Sequence, residues 1–265
     1  MTAVATPPAG APSEEKPAGS AVGRVLRNNY DLLVSPIIVI IGLGAVYFTV
    51  FTQPLDDIEQ RSLNPASILT ALQQHLVLTV LSTIAVLVIA VPIGILVSRP
   101  SARRAQGTVL AIGGFAQALP PFGVLVLLAF LISFSVPTAV LGLTLAALLP
   151  VLRNTVVGLQ QVDQSLIEAA RGMGMSARQT LFRVELPLAV PVIIAGLRVA
   201  LVLNVGTATL ASYIGAGGLG DLVVRALTLS RTPILIVAGG IIAALALVVD
   251  WLAGIAERII VARSG

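Results

Sequence analysis

The stretch Ala105–Leu152 runs for 48 residues without one charged side chain. Soluble domains carry about 25% charged residues, so a chain folding in water rarely sustains such a run. One bilayer crossing takes about 20 apolar residues; this run is too long for one crossing and suits two. A second stretch, Ser62–Ser98, is also free of formal charge. Across the whole 265-residue chain, 57% of residues are hydrophobic and 11% charged, with a mean hydropathy of +1.00. An aqueous fold of this length cannot hide that much apolar surface, so the solvent for most of the chain is a bilayer.

The charge-free runs set the count of spans. Leu32–Thr52 is a full crossing without a small-residue cleavage site, and reads as an uncleaved first helix rather than a signal peptide. His75–Val97 gives a second. The turn-like Ser133–Pro137 divides Ala105–Leu152 into a third and a fourth. A fifth runs from about Leu188 to Tyr213 and a sixth from about Pro233 to Trp251. The expected fold is an all-α integral membrane protein of six transmembrane helices. Residues 1–30 are rich in Pro, Ala and Gly and are expected to form a disordered cytoplasmic tail; residues 31–265 form the transmembrane domain.

Positive charge orients the bundle. The net charge is +4 and the pI about 10.3, but membrane proteins collect basic residues in cytoplasmic loops, so no nucleic-acid partner is implied. With the N-terminus inside, eleven arginines fall on the inner side, among them Arg99, Arg103, Arg104, Arg171 and Arg178, and only Arg61, Arg225 and Arg231 on the outer. The first outer loop is acidic, with Asp56, Asp57 and Glu59. Both termini are therefore expected in the cytoplasm. Arg outnumbers Lys fifteen to one, and with the abundance of Ala, Val and Gly this points to a bacterial plasma membrane. Cys is absent and His occurs once, which leaves no disulfide, thiolate or histidine metal site; no cofactor is expected in this chain.

The segment of about residues 162–187 is polar and lies between the fourth and fifth spans. Ser165 and Glu168 have capping-box spacing, as do Ser176 and Gln179. Gln164, Glu168 and Arg171 share one helical face; Leu166, Ala169, Ala170 and Met173 share the other. Gly172 and Gly174 end the first short helix, and Leu181 and Val184 extend an apolar stripe to Pro187. On this pattern alone the segment is either an amphipathic loop resting on headgroups or a docking element, its small residues admitting close approach.

The order Glu168-Ala169-Ala170, three residues, Gly174, nine residues, Val184, one residue, Leu186-Pro187 resembles the EAA signature of ABC importer permeases, with Val184 in place of the usual Ile. The resemblance implies a coupling helix that docks on an ATP-binding subunit, through Glu168, Ala169, Ala170, Gly174, Leu186 and Pro187. LLPVLRNTVVGLQQVD (Leu148–Asp163), ELPLAVPVIIAGLR (Glu185–Arg198) and GTATLASYIGAGGLGD (Gly206–Asp221) are similar to permeases of glycine betaine/carnitine/choline importers. That similarity implies a methionine-importer-like core of five helices plus one N-terminal helix. It also implies ATP-binding subunits, an external solute-binding protein and a second permease subunit as partners. The runner-up readings are a permease for another small solute, such as an amino acid, and a membrane scaffold without transport.

Other features are less diagnostic. Gly215–Gly220 fits G-x-G-x-x-G, but no strand precedes it and it lies at an outer face, so a flexible turn is expected. No G-x-x-x-x-G-K-[ST] occurs, so ATP hydrolysis is left to a partner. Asn204, Thr207, Thr209 and Ser212 make the fifth span polar, either lining a translocation path or bonding helix to helix. Arg198 and Asp250 lie at similar depth and either pair or reach separately for the interface. His75 is expected at the outer interface, and Pro120-Pro121 is expected to kink the third span.

Overall fold

The computed structural model describes residues 21–264, with side chains described over 33–260 except Arg103. Regular structure among these residues is helical throughout: α1 (Ala21–Val50), α2 (Asp57–Ser62), α3 (Pro65–Val97), α4 (Arg103–Ala118), α5 (Pro121–Leu131), α6 (Val136–Gln160), α7 (Gln164–Gly172), α8 (Ala177–Thr180), α9 (Leu186–Ala208), α10 (Gly220–Thr228) and α11 (Thr232–Ser264). The expected tail over 1–30 lies outside the described residues as far as residue 20, and residues 21–30 belong to α1.

Local sequence explains where the long helices begin. Asn64 accepts the Ser67 N–H at 2.9 Å and Pro65 occupies the first helical position, where its missing N–H costs nothing. The second span therefore starts ten residues before His75. α3 is 33 residues, about 50 Å at 1.5 Å per residue, so it outruns a hydrocarbon core of about 30 Å.

Among the described residues five helices are long and apolar enough to cross a membrane: α1, α3, α6, the α8–α9 stretch and α11. The sixth crossing exists only if α4 and α5 are taken together, and these meet at 94°. The third span is thus a broken pair of helices and not the kinked helix expected. The cause is sequence-local. A residue before proline is driven out of the α region, and Leu119 (ψ 138°) and Pro120 (ψ 121°) each precede one, so two successive residues are extended.

The centre of the bundle is α3, α6 and α9, packed through small residues. Lipid gives helices no hydrophobic reason to associate, so close backbone approach must supply the attraction. A Cβ at Gly94 would lie 2.7 Å from the Thr155 side chain, and one at Gly196 would lie 2.8 Å from the Pro150 carbonyl. Val86, Ala90, Ala147, Val151, Leu152 and Ala200 fill the space between. α1 stands at the side, against α11, with Val50 buried and Ile40 and Phe48 turned outward at 71% and 69% exposure.

α9 and α11 are joined by charge. Arg198 donates from Nε to Asp250 Oδ1 at 2.6 Å and from Nη2 to Oδ2 at 2.8 Å, and from Nη1 to Glu257 at 3.3 Å. Gly254, between the two carboxylates on α11, leaves room for the guanidinium, which a Cβ there would approach to 3.3 Å. The Arg198 and Asp250 side chains are 37% and 36% exposed, so removing one partner costs about 1–2 kcal/mol, well under the roughly 3–5 of a fully buried pair. Arg198→Ala is expected to lower membrane abundance, and Arg198→Asp combined with Asp250→Arg to recover part of it. Quantitative immunoblotting of membranes checks this, and losses that simply add would contradict it.

Candidate functional site

The 162–187 segment is built from three linked turns. Asp163 Oδ1 accepts the Ser165 N–H at 2.9 Å and caps α7. That bond and one from the Ser165 hydroxyl hold the Asp163 carboxyl below the usual carboxylate range. The cap corrects the sequence reading: with Asp163 as the cap, Ser165 already lies inside α7 and forms no box with Glu168, which is exposed. At the other end Met175 N–H bonds the Ala170 carbonyl at 3.1 Å and Gly174 N–H bonds the Arg171 carbonyl at 2.9 Å. This is a Schellman closure, with Gly174 at φ +85° in the left-handed position that glycine occupies without strain. Ser176 and Gln179 then form the expected reciprocal box, at 2.8 and 3.3 Å.

From α8 the chain passes through a wide π turn, Leu181–Glu185, into α9. Leu186 N–H reaches the Leu181 carbonyl five residues back, just before Pro187, whose ring clashes with a carbonyl at ordinary α spacing. Leu181 and Leu186 pack on Leu159, Ala189 and Ile193, which ties this turn to the bundle. Pro187 itself is exposed.

α7 turns its apolar residues two ways. Ile167 and Ala170 are buried, at 8% and 1% exposure, whereas Leu166, Ala169 and Met173 are exposed, Met173 at 74%. Of the apolar face read from sequence, Ala170 alone is buried. An exposed stripe at i, i+3 and i+7 on a short helix, with a fixed turn at its end, is a surface suited to another protein.

The polar residues of the fifth span go to separate places. Asn204 is buried and donates from Nδ2 to Thr83 Oγ1 at 3.1 Å. Thr207 bonds the Leu203 carbonyl of its own helix, and Ser212 bonds the Gly217 carbonyl at 3.0 Å. Thr209 Oγ1 is buried without a protein partner, as are Asn204 Oδ1, Thr79 Oγ1 and His75 Nδ1. His75 is fully buried rather than interfacial, with Nε2 2.9 Å from the Val205 carbonyl. The reason is the turn 215–218: Gln74 Oε1 accepts the Gly218 N–H at 3.0 Å, and the turn folds over this end of α3. Gly215, Gly217 and Gly218 all have positive φ, as a tight turn here requires.

Two features escaped sequence reading. Arg99, at the end of α3, pairs with the buried Glu185, Nη2 to Oε2 at 2.7 Å. A carboxylate directly before Leu-Pro at the foot of a span was the available signal. Phe122 and Tyr213 meet edge to face at 5.1 Å between centroids, two rings where a cation cage needs more. Among the described residues no His, Asp or Glu cluster could hold a metal.

Comparison with known proteins fits this architecture. The family described as binding-protein-dependent transport system inner membrane component matches over residues 90–261. The osmoprotectant import permease protein OsmY of Salmonella typhimurium is 43% identical over 180 residues, covering 68% of this chain and 76% of that protein. The glycine betaine/carnitine/choline transport system permease protein OpuCD of Bacillus subtilis is 36% identical over 198 residues, 74% of this chain and 86% of that one. In fold, the chain is similar to one from the MetNI methionine ABC transporter in an inward-facing conformation. That similarity has a TM-score of 0.66 at 23% identity and spans 73% of this chain and 95% of the other. A family match across most of the helical bundle, with relatives this similar, makes the chain a member of the binding-protein-dependent transport system inner membrane component family, a permease subunit of an ABC transporter.

Proposed function

We propose that this permease imports quaternary-ammonium osmoprotectants of the glycine betaine, carnitine and choline class, driven by separate ATP-binding subunits that dock on the Glu168–Gly174 helix. A second permease subunit completes the pathway and an extracytoplasmic binding protein delivers the solute. The substrate class rests on the relatives, whose names specify osmoprotectants, carnitine and choline. With only the Phe122–Tyr213 pair available among the described aromatic contacts near α9, selectivity is assigned mainly to the binding protein.

The observation that carries the energy-coupling reading is the exposed Leu166, Ala169 and Met173 stripe on α7, which ends in a conformationally fixed turn. Without a P-loop, the energy of transport must enter through a protein contact, and this stripe is offered on the arginine-rich side. Arg99, Arg153, Arg171, Arg178 and Arg183 fall toward that end in sequence, and Asp56, Asp57 and Glu59 toward the other; this asymmetry supports a cytoplasmic α7 and cytoplasmic termini. Glu168, Ala169, Ala170 and Gly174 then form the docking helix, and Leu186 and Pro187 set its junction with α9. Asn204 and Thr207 on α9, and Thr209 and Ser212 in the short helical turn after it, are the residues assigned to the pathway, with Asn204 also serving helix packing.

Topology is checked by labelling single cysteines, which is clean because the chain has none of its own. Residues 57 and 231 should react with an impermeant reagent added outside, and residues 104 and 173 should not. Reaction at 104 from outside would invert the orientation.

Gly174 separates conformation from space. A Cβ there meets nothing within 4 Å, but φ is +85°, a conformation that costs an ordinary residue about 1–2 kcal/mol. Asn visits this region readily. Gly174→Glu should insert normally yet lose uptake of radiolabelled glycine betaine, carnitine or choline by at least about tenfold in the reconstituted complex. Gly174→Asn should retain most of it. Normal uptake by Gly174→Glu would remove the docking role, and uptake by the intact complex of none of the three solutes would remove the substrate class.

A further inference from the structure

The 162–187 segment is held to the bundle unevenly. α7 packs chiefly on α8 and the wide turn of its own segment. Behind it lies a cavity of about 750 Å3, lined by Arg99, Gln106, Gln160, Gln164, Arg171 and Glu185. Over the breadth of this cavity the side chains of α7 do not pack directly on the end of α3. What crosses at the edge of this cavity is a fork-shaped ion pair between Arg99 and Glu185: Nη1 donates to Oε1 at 3.1 Å, and Nη2 lies 2.7 Å from Oε2 as a charge contact without hydrogen-bond geometry.

Both ends of this link are fixed. Arg99 Nε donates back to the Ile95 carbonyl at 3.3 Å, so the guanidinium caps its own helix while its two outer nitrogens face Glu185. A lysine's single nitrogen could not reach the Ile95 carbonyl and both Glu185 oxygens from these separate positions. The Glu185 side chain is 5% exposed, and its backbone belongs to the π turn that leads into α9. A carboxylate this buried is costly unless paired, so the fork resists opening.

The consequence concerns which helices move together. Any displacement of α7 and α8 reaches α9 covalently, through Glu185. It reaches α3 through the packing of α6 and α9 along the bundle and, at this end of α3, directly across one side-chain contact. Yet α3 and α9 share buried contacts further along, Thr83 with Asn204 and His75 with the Val205 carbonyl. Nine residues in from the other end of α3, Gln74 holds the glycine turn at the opposite face. Arg99 and Gln74 are about 37 Å apart along the helix at 1.5 Å per residue.

We propose that the Arg99–Glu185 fork is the strut that moves α3 in step with α9, so that a push on the docking helix reaches the Gly215–Gly218 turn on the far side of the membrane. Arg99 is on this account a positioning residue for energy coupling. The inference rests on the docking role proposed for α7, and the test keeps the two apart.

The complete reconstituted transporter is assayed for solute uptake and ATP hydrolysis in the same vesicles. Arg99→Gln and Glu185→Gln should leave co-purification of the ATPase subunits and basal hydrolysis unchanged, because the exposed face of α7 is untouched. The solute moved per ATP should fall about tenfold, the scale of a typical coupling free energy between sites. Arg99→Glu combined with Glu185→Arg should recover part of that ratio. Should Arg99→Gln fail to accumulate, Arg99→Lys, which keeps the charge without the fork, is read by the same ratio and should lower it. An unchanged ratio in the variants that accumulate would overturn the strut. If the docking role itself is wrong, Gly174→Glu will also leave uptake and ATPase stimulation intact, a result that failure of the strut alone does not produce.

Discussion

The structure depends on the close approach of α3, α6 and α9. In lipid there is no apolar surface to hide from water between helices, so association relies on contact between backbones and on the few polar bonds that lipid cannot satisfy. Gly94, Gly158 and Gly196 supply the contact; a Cβ at Gly158 would lie 3.1 Å from the Ala189 carbonyl. Asn204 to Thr83 and His75 to Val205 supply the bonds. Everything peripheral is arranged around this trio: α1 leans on α11, α11 is clamped to α9 by Arg198, and the broken α4–α5 pair folds against α6.

A rigid trio raises the question of how energy is let in. The answer offered by the geometry is a short segment that belongs to α9 by chain and to α3 by an ion pair, while its own helix stands off behind a cavity. Its two ends are fixed by caps, Asp163 at the start and the Gly174 turn at the finish, so α7 acts as one small rigid body. Rigid elements joined by a few stiff contacts respond as units, which is what a part transmitting force between subunits requires.

Much of this was legible in the sequence, for identifiable reasons. Charge-free runs define spans because lipid tolerates no unpaired charge, so each crossing is legible, but the helices run on past it: α3 begins ten residues before His75. Gly174 and the Ser176–Gln179 box were readable because caps are local, a matter of three or four residues. The break in the third span is stronger than the kink Pro120-Pro121 suggests, because two successive residues that each precede a proline are both driven toward extended backbone. The spacing to Glu168 favours Ser165 as the cap, but Asp163, two residues earlier, closes the helix first. His75 and Glu185 were misjudged or missed because their surroundings come from residues more than eighty positions away, the Gly215–Gly218 turn and Arg99. Pattern within one segment carries no trace of such partners.

The central claim is that ATP-derived motion enters through the exposed face of α7. The most direct measurement is cross-linking from a single cysteine at residue 173, placed in the native cysteine-free background, to the ATPase subunit of the assembled transporter. A cross-link whose yield changes between nucleotide-free and ATP-trapped states is the expected result, with none from a cysteine at residue 60 on the opposite face. Absence of any ATPase adduct from residue 173 in an assembled and active transporter would contradict the account.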